Sequence, residues 1–159
     1  MGVFYAKITH MLISILVSLV AILIVHVAGS VTAWYDTVWW LDVVMHITGG
    51  AWVALVFIYL SKNIWRILDF KNKFIFSLVL CLGFVTLVGV FWEFYEYLRD
   101  VYTFKLHPLN YAPNPLTLPD TLSDLLNDLI GGSLTFIVFY AFSHRPNRLG
   151  ANIGDKYQN

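Results

Sequence analysis

The chain has 159 residues and no formal net charge, and hydrophobic residues make up 58% of it, above the usual share of a soluble domain. The balanced charge gives no reason to expect a nucleic-acid partner, and a single cysteine, Cys81, excludes an intramolecular disulfide. The length allows one domain, which we take as residues 1–159.

Four apolar segments are long enough to cross a membrane, which takes about 20 predominantly apolar residues. In chain order they cover residues 8–29, 43–60, 74–97 and 121–142. The first segment is too long for a cleavable signal peptide. The second is short and follows an aromatic stretch (Trp34, Tyr35, Trp39 and Trp40) that is typical of a membrane interface. The sequence therefore predicts an all-α integral membrane fold, a bundle of four transmembrane helices.

Lysine and arginine indicate the orientation, because they are enriched in cytoplasmic loops. Eight of the ten lie at the termini or between the second and third segments: Lys7, Lys62, Arg66, Lys71, Lys73, Arg145, Arg148 and Lys156. The other two, Arg99 and Lys105, lie in the connection between the third and fourth segments. We therefore predict that both termini are cytoplasmic.

A long connection on the opposite, outer side covers residues 100–119 and contains Pro108, Pro113, Pro115 and Pro119. Proline disrupts helix interiors, so we predict an irregular loop here. It is either a plain surface loop or a lid over the outer face.

Acidic residues also gather on the outer side. Eight of the ten lie there: Asp36, Asp42, Glu93, Glu96, Asp100, Asp120, Asp124 and Asp128. Carboxylates inside a membrane are costly and usually mark a functional site or a fully paired network. His26, near the outer end of the first segment, is expected at the same depth.

The acids and a histidine fall in pairs spaced by one helical turn, so that each pair shares a helix face. The pairs are Asp42 with His46, Glu93 with Glu96, and Asp124 with Asp128. Facing carboxylates and histidines can form metal sites inside helix bundles. We expect all six residues, with His26 as a further candidate, to be candidate ligands of a divalent metal ion, which could be manganese, magnesium, iron or zinc. Glu93, Asp128 and His46 are also the candidate catalytic residues, because helix capping does not account for them.

Simpler structural roles exist for the other residues. Asp120 and Asp42 could cap helices, Thr121 with Asp124 resembles a capping box, and Glu96 could pair with Arg99. His26 could be hydrogen-bonded within the bundle.

Two segments share a pattern of Asp, three residues, His or Asp, two residues and Gly-Gly. It spans Asp42 to Gly50 in the second segment and Asp124 to Gly132 in the fourth. The pattern raises the hypothesis of two parallel helix-hairpin repeats, while the glycines also allow close helix packing.

The motif series Asp42-x-x-x-His46, Trp92-Glu93-x-x-Glu96 and Asp124-x-x-x-Asp128-x-x-Gly131 resembles that of VanZ-like membrane proteins, and more closely the YjdF-like bacterial inner-membrane proteins. The sequence departs from the VanZ-like pattern at Val43, Glu96 and Asp128. The resemblance implies an envelope-related role at the outer face of a bacterial inner membrane, and it implies no reaction.

The leading hypothesis is a membrane-embedded, metal-dependent hydrolase or transferase that acts on a lipid or lipid-linked envelope substrate at the outer face. Two alternatives stay open: an accessory subunit whose polar layer only holds its helices together, and a protein that binds or transports a cation. The expected partners are the lipid bilayer and a lipid-linked substrate, with no nucleic acid. A homo-oligomer or a larger membrane complex is also compatible with the sequence.

Overall fold

A computed structural model describes residues 2–65, 73–106 and 117–143 of the chain. The helices are α1 (Gly2–Val31), α2 (Trp34–Thr37), α3 (Leu41–Leu60), α4 (Phe74–Leu106) and α5 (Thr117–Ser143), and α3 continues into a π-helical turn, Ser61–Trp65. Except for the short α2, these helices are long and apolar enough to cross a membrane. The predicted all-α fold with four transmembrane helices is confirmed.

The helix ends differ from the predicted ends around the third connection. Helix α4 extends to Leu106 and α5 begins at Thr117, so the predicted irregular loop at residues 100–119 is wrong at both ends. Polar residues lower the hydropathy of the sequence after Tyr97, but the helix continues to Leu106. Pro119 lies in the first turn of α5, where its missing N–H costs nothing. Pro108, Pro113 and Pro115 lie outside the described residues.

The predicted capping roles are also wrong. Asp120 lies within the first turn of α5, and Thr121 and Asp124 follow further inside the helix, so neither forms a cap. Asp42 lies in the first turn of α3, whose N-cap residue, Trp40, makes no side-chain capping bond. These carboxylates are therefore available for contacts between helices.

Helix α3 is central and packs against α1, α4 and α5. Its closest crossing is with α5: Gly50 lies against the Asp128 backbone, and Gly131 lies against the Ile47 backbone. The glycines thus have the close-packing role that the sequence predicts. Along α3, Asp42 and His46 meet Asp124 of α5, and Phe57 and Ile58 further on share the apolar cluster with Phe136, so α3 and α5 are parallel. Parallel packing is what the repeat hypothesis requires, and the repeat itself stays a prediction.

The two ends of the bundle differ in chemistry. Away from the paired acids, α3, α4 and α5 bury an apolar cluster: Val53, Ala54, Phe57, Ile58, Cys81, Val85 and Phe136. Cys81 is fully buried there, in the packing role expected for it. We call this half the apolar end and the half containing the paired acids the polar end.

Helix α1 lies at the periphery and packs against α2 and α3. Among its described side chains most face outward, and Ile15 is the buried apolar residue. The Trp52 indole N–H donates a hydrogen bond to the Ile15 carbonyl oxygen at 2.9 Å, which ties α1 to α3.

Candidate metal centre

His46 occupies the centre of the polar end, on the face of α3 that meets α4 and α5. Its Nε2 atom lies 3.7 Å from Asp124 Oδ1, 3.8 Å from Asp42 Oδ1 and 4.0 Å from Glu93 Oε1. Its Nδ1 atom lies 3.4 Å from Asp128 Oδ1. Carboxylates from three helices therefore converge on one imidazole.

Most of this cluster is withdrawn from solvent. The side chain of His46 is 5% exposed and that of Asp124 is 6% exposed, whereas Asp42 is 35% exposed. Glu93 Oε1 is buried and has no hydrogen-bond partner among the described residues. A buried carboxylate oxygen without a partner is costly, so this atom needs a cation or a proton to stabilise it.

The Nε2 contacts, at 3.7–4.0 Å, are too long for hydrogen bonds. They suit a shared divalent ion, because two ligand atoms bound at about 2.0–2.2 Å each can be held up to about 4.2 Å apart. Two sets of three ligand atoms meet within 4.8 Å: Asp42 with His46 and Asp124, and His46 with Glu93 and Glu96. Both sets use His46, so they describe one centre with alternative carboxylates.

Asp128 lies on the other side of the imidazole. A carboxylate beside the Nδ1 atom of a ligating histidine commonly fixes the tautomer and leaves Nε2 for the metal. Gly89 of α4 lies beside this carboxylate, since a Cβ atom there would be 2.5 Å from Asp128 Oδ2. The close approach of α4 thus holds Asp128 against His46.

The structure brings all six predicted ligands into the polar end, and their roles stay predictions. Glu96 also makes the predicted pair with Arg99, at 3.7 Å. His26 does not join the carboxylates: its Nδ1 atom lies 2.9 Å from the Tyr35 hydroxyl oxygen, and its ring packs edge-on against Trp92. Hydrogen bonding within the bundle, the simpler role considered for His26, is the one observed.

Sequence reasoning missed the part that Tyr35 takes in the polar end. Burial, and then the nearby Asp42 and Glu96 carboxylates, raise the pKa of the Tyr35 hydroxyl to about 12, so this hydroxyl stays protonated at neutral pH. In the sequence Tyr35 is one of several interfacial aromatic residues. Its contact with His26 depends on a turn in which Ala33 adopts a left-handed conformation, with φ of 56°, and no glycine or asparagine signals that turn.

Asn127 and Gly89 were also missed. Asn127 Nδ2 is buried and has no hydrogen-bond partner among the described residues, and its position next to Asp128 was the available signal. Gly89 could be recognised only from the packing of α4 on α5.

A cavity of about 160 Å³ adjoins the centre. Asp42, His46, Glu96 and Asp128 line one end of it, and residues of α1, α3 and α4 form its walls. The polar cluster is therefore accessible from within the bundle.

Comparison with known proteins gives a family without a described activity. No curated protein and no solved structure matches the chain. Residues 3–145 match the family model described as "Predicted membrane protein (DUF2238)". The resemblance to VanZ-like proteins is therefore wrong, because the matched family is a different one, although YjdF-like proteins are similar to it. Acidic pairs one turn apart suit any bundle with a polar layer, so short motifs of this kind do not separate families. Since the match covers nearly the whole chain, the chain belongs to the DUF2238 family of predicted membrane proteins.

Proposed function

We propose that this chain is a membrane-embedded enzyme that binds a divalent metal ion at His46 and uses it in a hydrolase or transferase reaction. The observation that carries the proposal is the convergence of Asp42, Glu93 and Asp124 on His46 Nε2 at 3.7–4.0 Å. Each separation fits two ligands of one ion better than it fits a hydrogen bond. With His46 the ion would take one of two carboxylate pairs, Asp42 with Asp124 or Glu93 with Glu96.

The mixture of carboxylates and one imidazole suits manganese, magnesium, iron or zinc. A bound ion of this kind activates water or polarises a carbonyl or phosphoryl oxygen. In this scheme Asp128 orients the His46 ring through Nδ1, at 3.4 Å. Glu93, with one buried oxygen that lacks a hydrogen-bond partner, either ligates the ion or exchanges a proton with the substrate.

The proposed substrate is a lipid or lipid-linked envelope molecule, and the proposed location is the outer face of the bacterial inner membrane, with both termini cytoplasmic. Lys62, Lys73 and the terminal basic residues support this orientation under the positive-inside rule. Arg66, Lys71, Arg145, Arg148 and Lys156 lie outside the described residues, so their support comes from the sequence. The opening of the cavity beside the carboxylates supports an enzyme, because a substrate needs access to the ion.

Two observations weigh against the alternatives. A transport path through one copy of the chain would have to cross the apolar end, where Ile58 and Phe136 are fully buried. An accessory role, in which the polar layer only holds helices together, calls for fully paired acids. Glu93 Oε1 is buried and makes no hydrogen bond in the described part of the chain, and its 4.0 Å separation from His46 Nε2 is too long for one.

The metal content of detergent-purified protein tests the proposal. We expect wild type to bind a divalent ion in stoichiometric amount after incubation with manganese, magnesium, iron and zinc in turn. Glu93→Gln and Asp128→Asn should lose it, because each removes a charge next to His46. Asp36→Asn is the matched control, since Asp36 is exposed on α2.

A wild type that stays metal-free with all four ions would reject the metal centre. Metal-loaded protein is then incubated with extracted bacterial membrane lipids, and the lipids are compared by mass spectrometry. Conversion by wild type and Asp36→Asn, but not by Glu93→Gln, supports an enzyme. Stoichiometric metal without any conversion argues for a cation-binding role instead.

A further inference from the structure

The cavity beside His46 extends along the membrane normal for about half the bilayer. Its lining runs from Asp42 to Val53 on α3 and from Val85 to Glu96 on α4. Each stretch corresponds to about 16 Å of helix at 1.5 Å per residue. The hydrocarbon core of a bilayer is about 30 Å thick, so the cavity spans the depth of a single leaflet.

The cavity lies between α1 and α4, and residues of α3 form its third wall. In the described part of the chain, α1 packs mainly on α2 and α3, and α4 packs on α3 and α5. His26 of α1 meets Trp92 of α4 at the polar end, and below that contact the cavity separates α1 from α4. Leu23 lines it and is 46% exposed. The opening therefore faces laterally, toward the position of the lipid chains.

The walls of the cavity away from His46 are mainly aliphatic. Leu19 and Ile22 of α1 face Val85 and Val88 of α4 across it, and Val53 of α3 lies at its deep end. A lining of this kind suits a hydrocarbon chain, because such a chain loses no hydrogen bonds there and fills the space by dispersion contacts.

The shallow end of the cavity is negatively charged. Asp42, Glu96 and Asp128 line it beside the His46 and His26 imidazoles. Glu93 and Asp124 add further carboxylates directly behind His46. Arg99 pairs with Glu96, and one divalent ion offsets only two of the other four carboxylates, so an anionic head group would be repelled.

We propose that the cavity binds one hydrocarbon chain of a membrane lipid whose head group has no net negative charge. The chain enters laterally between α1 and α4, and the head group lies at His46. This inference rests on the proposed function in placing the head group at the metal centre, whereas the binding of the chain is independent of the metal.

Photolabelling in nanodiscs tests the inference. The probe is a phosphatidylcholine with a diazirine in one acyl chain, and labelled residues are mapped by mass spectrometry. Val53 and Val85 line the cavity but are 8% and 1% exposed, so bulk lipid does not reach them. We expect label at both residues in wild type. Absence of label at both, with lipid-facing residues labelled normally, would overturn the inference.

Two variants fill the cavity from opposite walls. Ile22→Trp and Val88→Trp should each abolish label at Val53 and Val85. The matched controls are Ile24→Trp and Leu87→Trp, which change outward-facing neighbours that are 63% and 54% exposed. Both controls should retain the label at Val53 and Val85. Unchanged label in both filled variants would refute the assigned path. Because the wild-type map stands without variants, a misfolded variant does not remove the test.

A phosphatidic acid with the same photoreactive chain tests the head group. We expect it to label Val53 and Val85 less than phosphatidylcholine does, and equal labelling would contradict the charge argument. The metal measurement separates the two proposals. Label at these valines in a protein that binds no metal would leave the cavity assignment intact and reject the metal centre. Stoichiometric metal without label at these valines would support the metal centre and overturn the cavity assignment.

Discussion

A methyl group at Gly50 would separate α3 from α5 at the level of the candidate metal centre. The added Cβ atom would overlap the Asp128 carbonyl oxygen and lie 2.6 Å from the Asp128 Cα and carbonyl carbon atoms. Ordinary contacts begin at 3.4 Å, so the carbon contacts alone require the backbones to move apart by about 0.8 Å, and the closer carbonyl oxygen requires more. Overpacking of this kind costs about 1–3 kcal/mol.

Gly83→Ala provides the reference, because a Cβ atom at Gly83 of α4 meets nothing within 4 Å. Both substitutions gain helix propensity, about 0.8–1 kcal/mol, and this gain cancels in the comparison. We therefore expect Gly50→Ala to have a free energy of unfolding about 1–3 kcal/mol below that of Gly83→Ala. Gly49→Ala should have a free energy of unfolding similar to that of Gly83→Ala, since the nearest atom to a Cβ at Gly49 is Asp128 Oδ1, at 4.0 Å.

Unfolding in mixed micelles by titration with SDS, followed by circular dichroism, measures these differences. The same preparations are assayed for metal, because movement of Asp128 away from His46 should also weaken ion binding in Gly50→Ala. Equal stability of Gly50→Ala and Gly83→Ala would refute the close α3–α5 crossing, and with it the positions assigned to His46 and Asp128.

Three further predictions concern other contacts. Gly89→Ala should push the Asp128 carboxylate away from His46 without changing any charge, and it should lower metal affinity by about 10–100-fold. Ion titration, with Gly83→Ala as the control, measures this affinity. Unchanged affinity would show that Asp128 does not orient His46. Trp52→Phe removes the hydrogen bond to the Ile15 carbonyl oxygen and should lower the free energy of unfolding by about 0.5–1.5 kcal/mol. Trp39→Phe, at a residue 84% exposed, should not lower it. Equal effects of the two substitutions would show that the hydrogen bond does not stabilise the fold. Because burial raises the pKa of Tyr35 to about 12 from about 10, its neutral hydroxyl stabilises the fold fully below pH 10, and this contribution is lost as the pH rises through 12. Tyr35→Phe should remove that part of the alkaline loss of stability, and Tyr102→Phe, at a residue 65% exposed, should leave it in place; an identical pH profile for both variants would contradict the burial of Tyr35.

The transmembrane helices and the depth of the acids could be predicted because both follow from periodicity and length. An apolar run of about 20 residues has few stable alternatives to a membrane-spanning helix. Once the chain direction alternates between spans, Asp42, Glu93 and Asp124 must fall at one level. Helical spacing then places His46 and Asp128 on the faces that meet.

Features that depend on the three-dimensional course of the chain were not predictable. The bond between His26 and Tyr35 needs the left-handed turn at Ala33, which has no sequence signature. The extension of α4 through Arg99 to Leu106 is hidden because hydropathy reports contact with lipid and not helix formation. The cavity exists because α1 packs on α3 and leaves space beside α4, and a pattern of apolar residues does not specify which helices are neighbours.

The parallel packing of α3 and α5 has a consequence for biosynthesis. Helix α5 follows α4 in the chain and supplies both Asp124 and Asp128, so translation provides it after His46 is already in the membrane. Until α5 arrives, the glycine surface of α3 has no partner and the His46 imidazole lacks two of its four carboxylate neighbours. Completion of the polar end therefore waits for α5, and a nascent chain stalled after α4 would leave His46 with only Asp42 and Glu93 beside it, a state suited to recognition by membrane quality control.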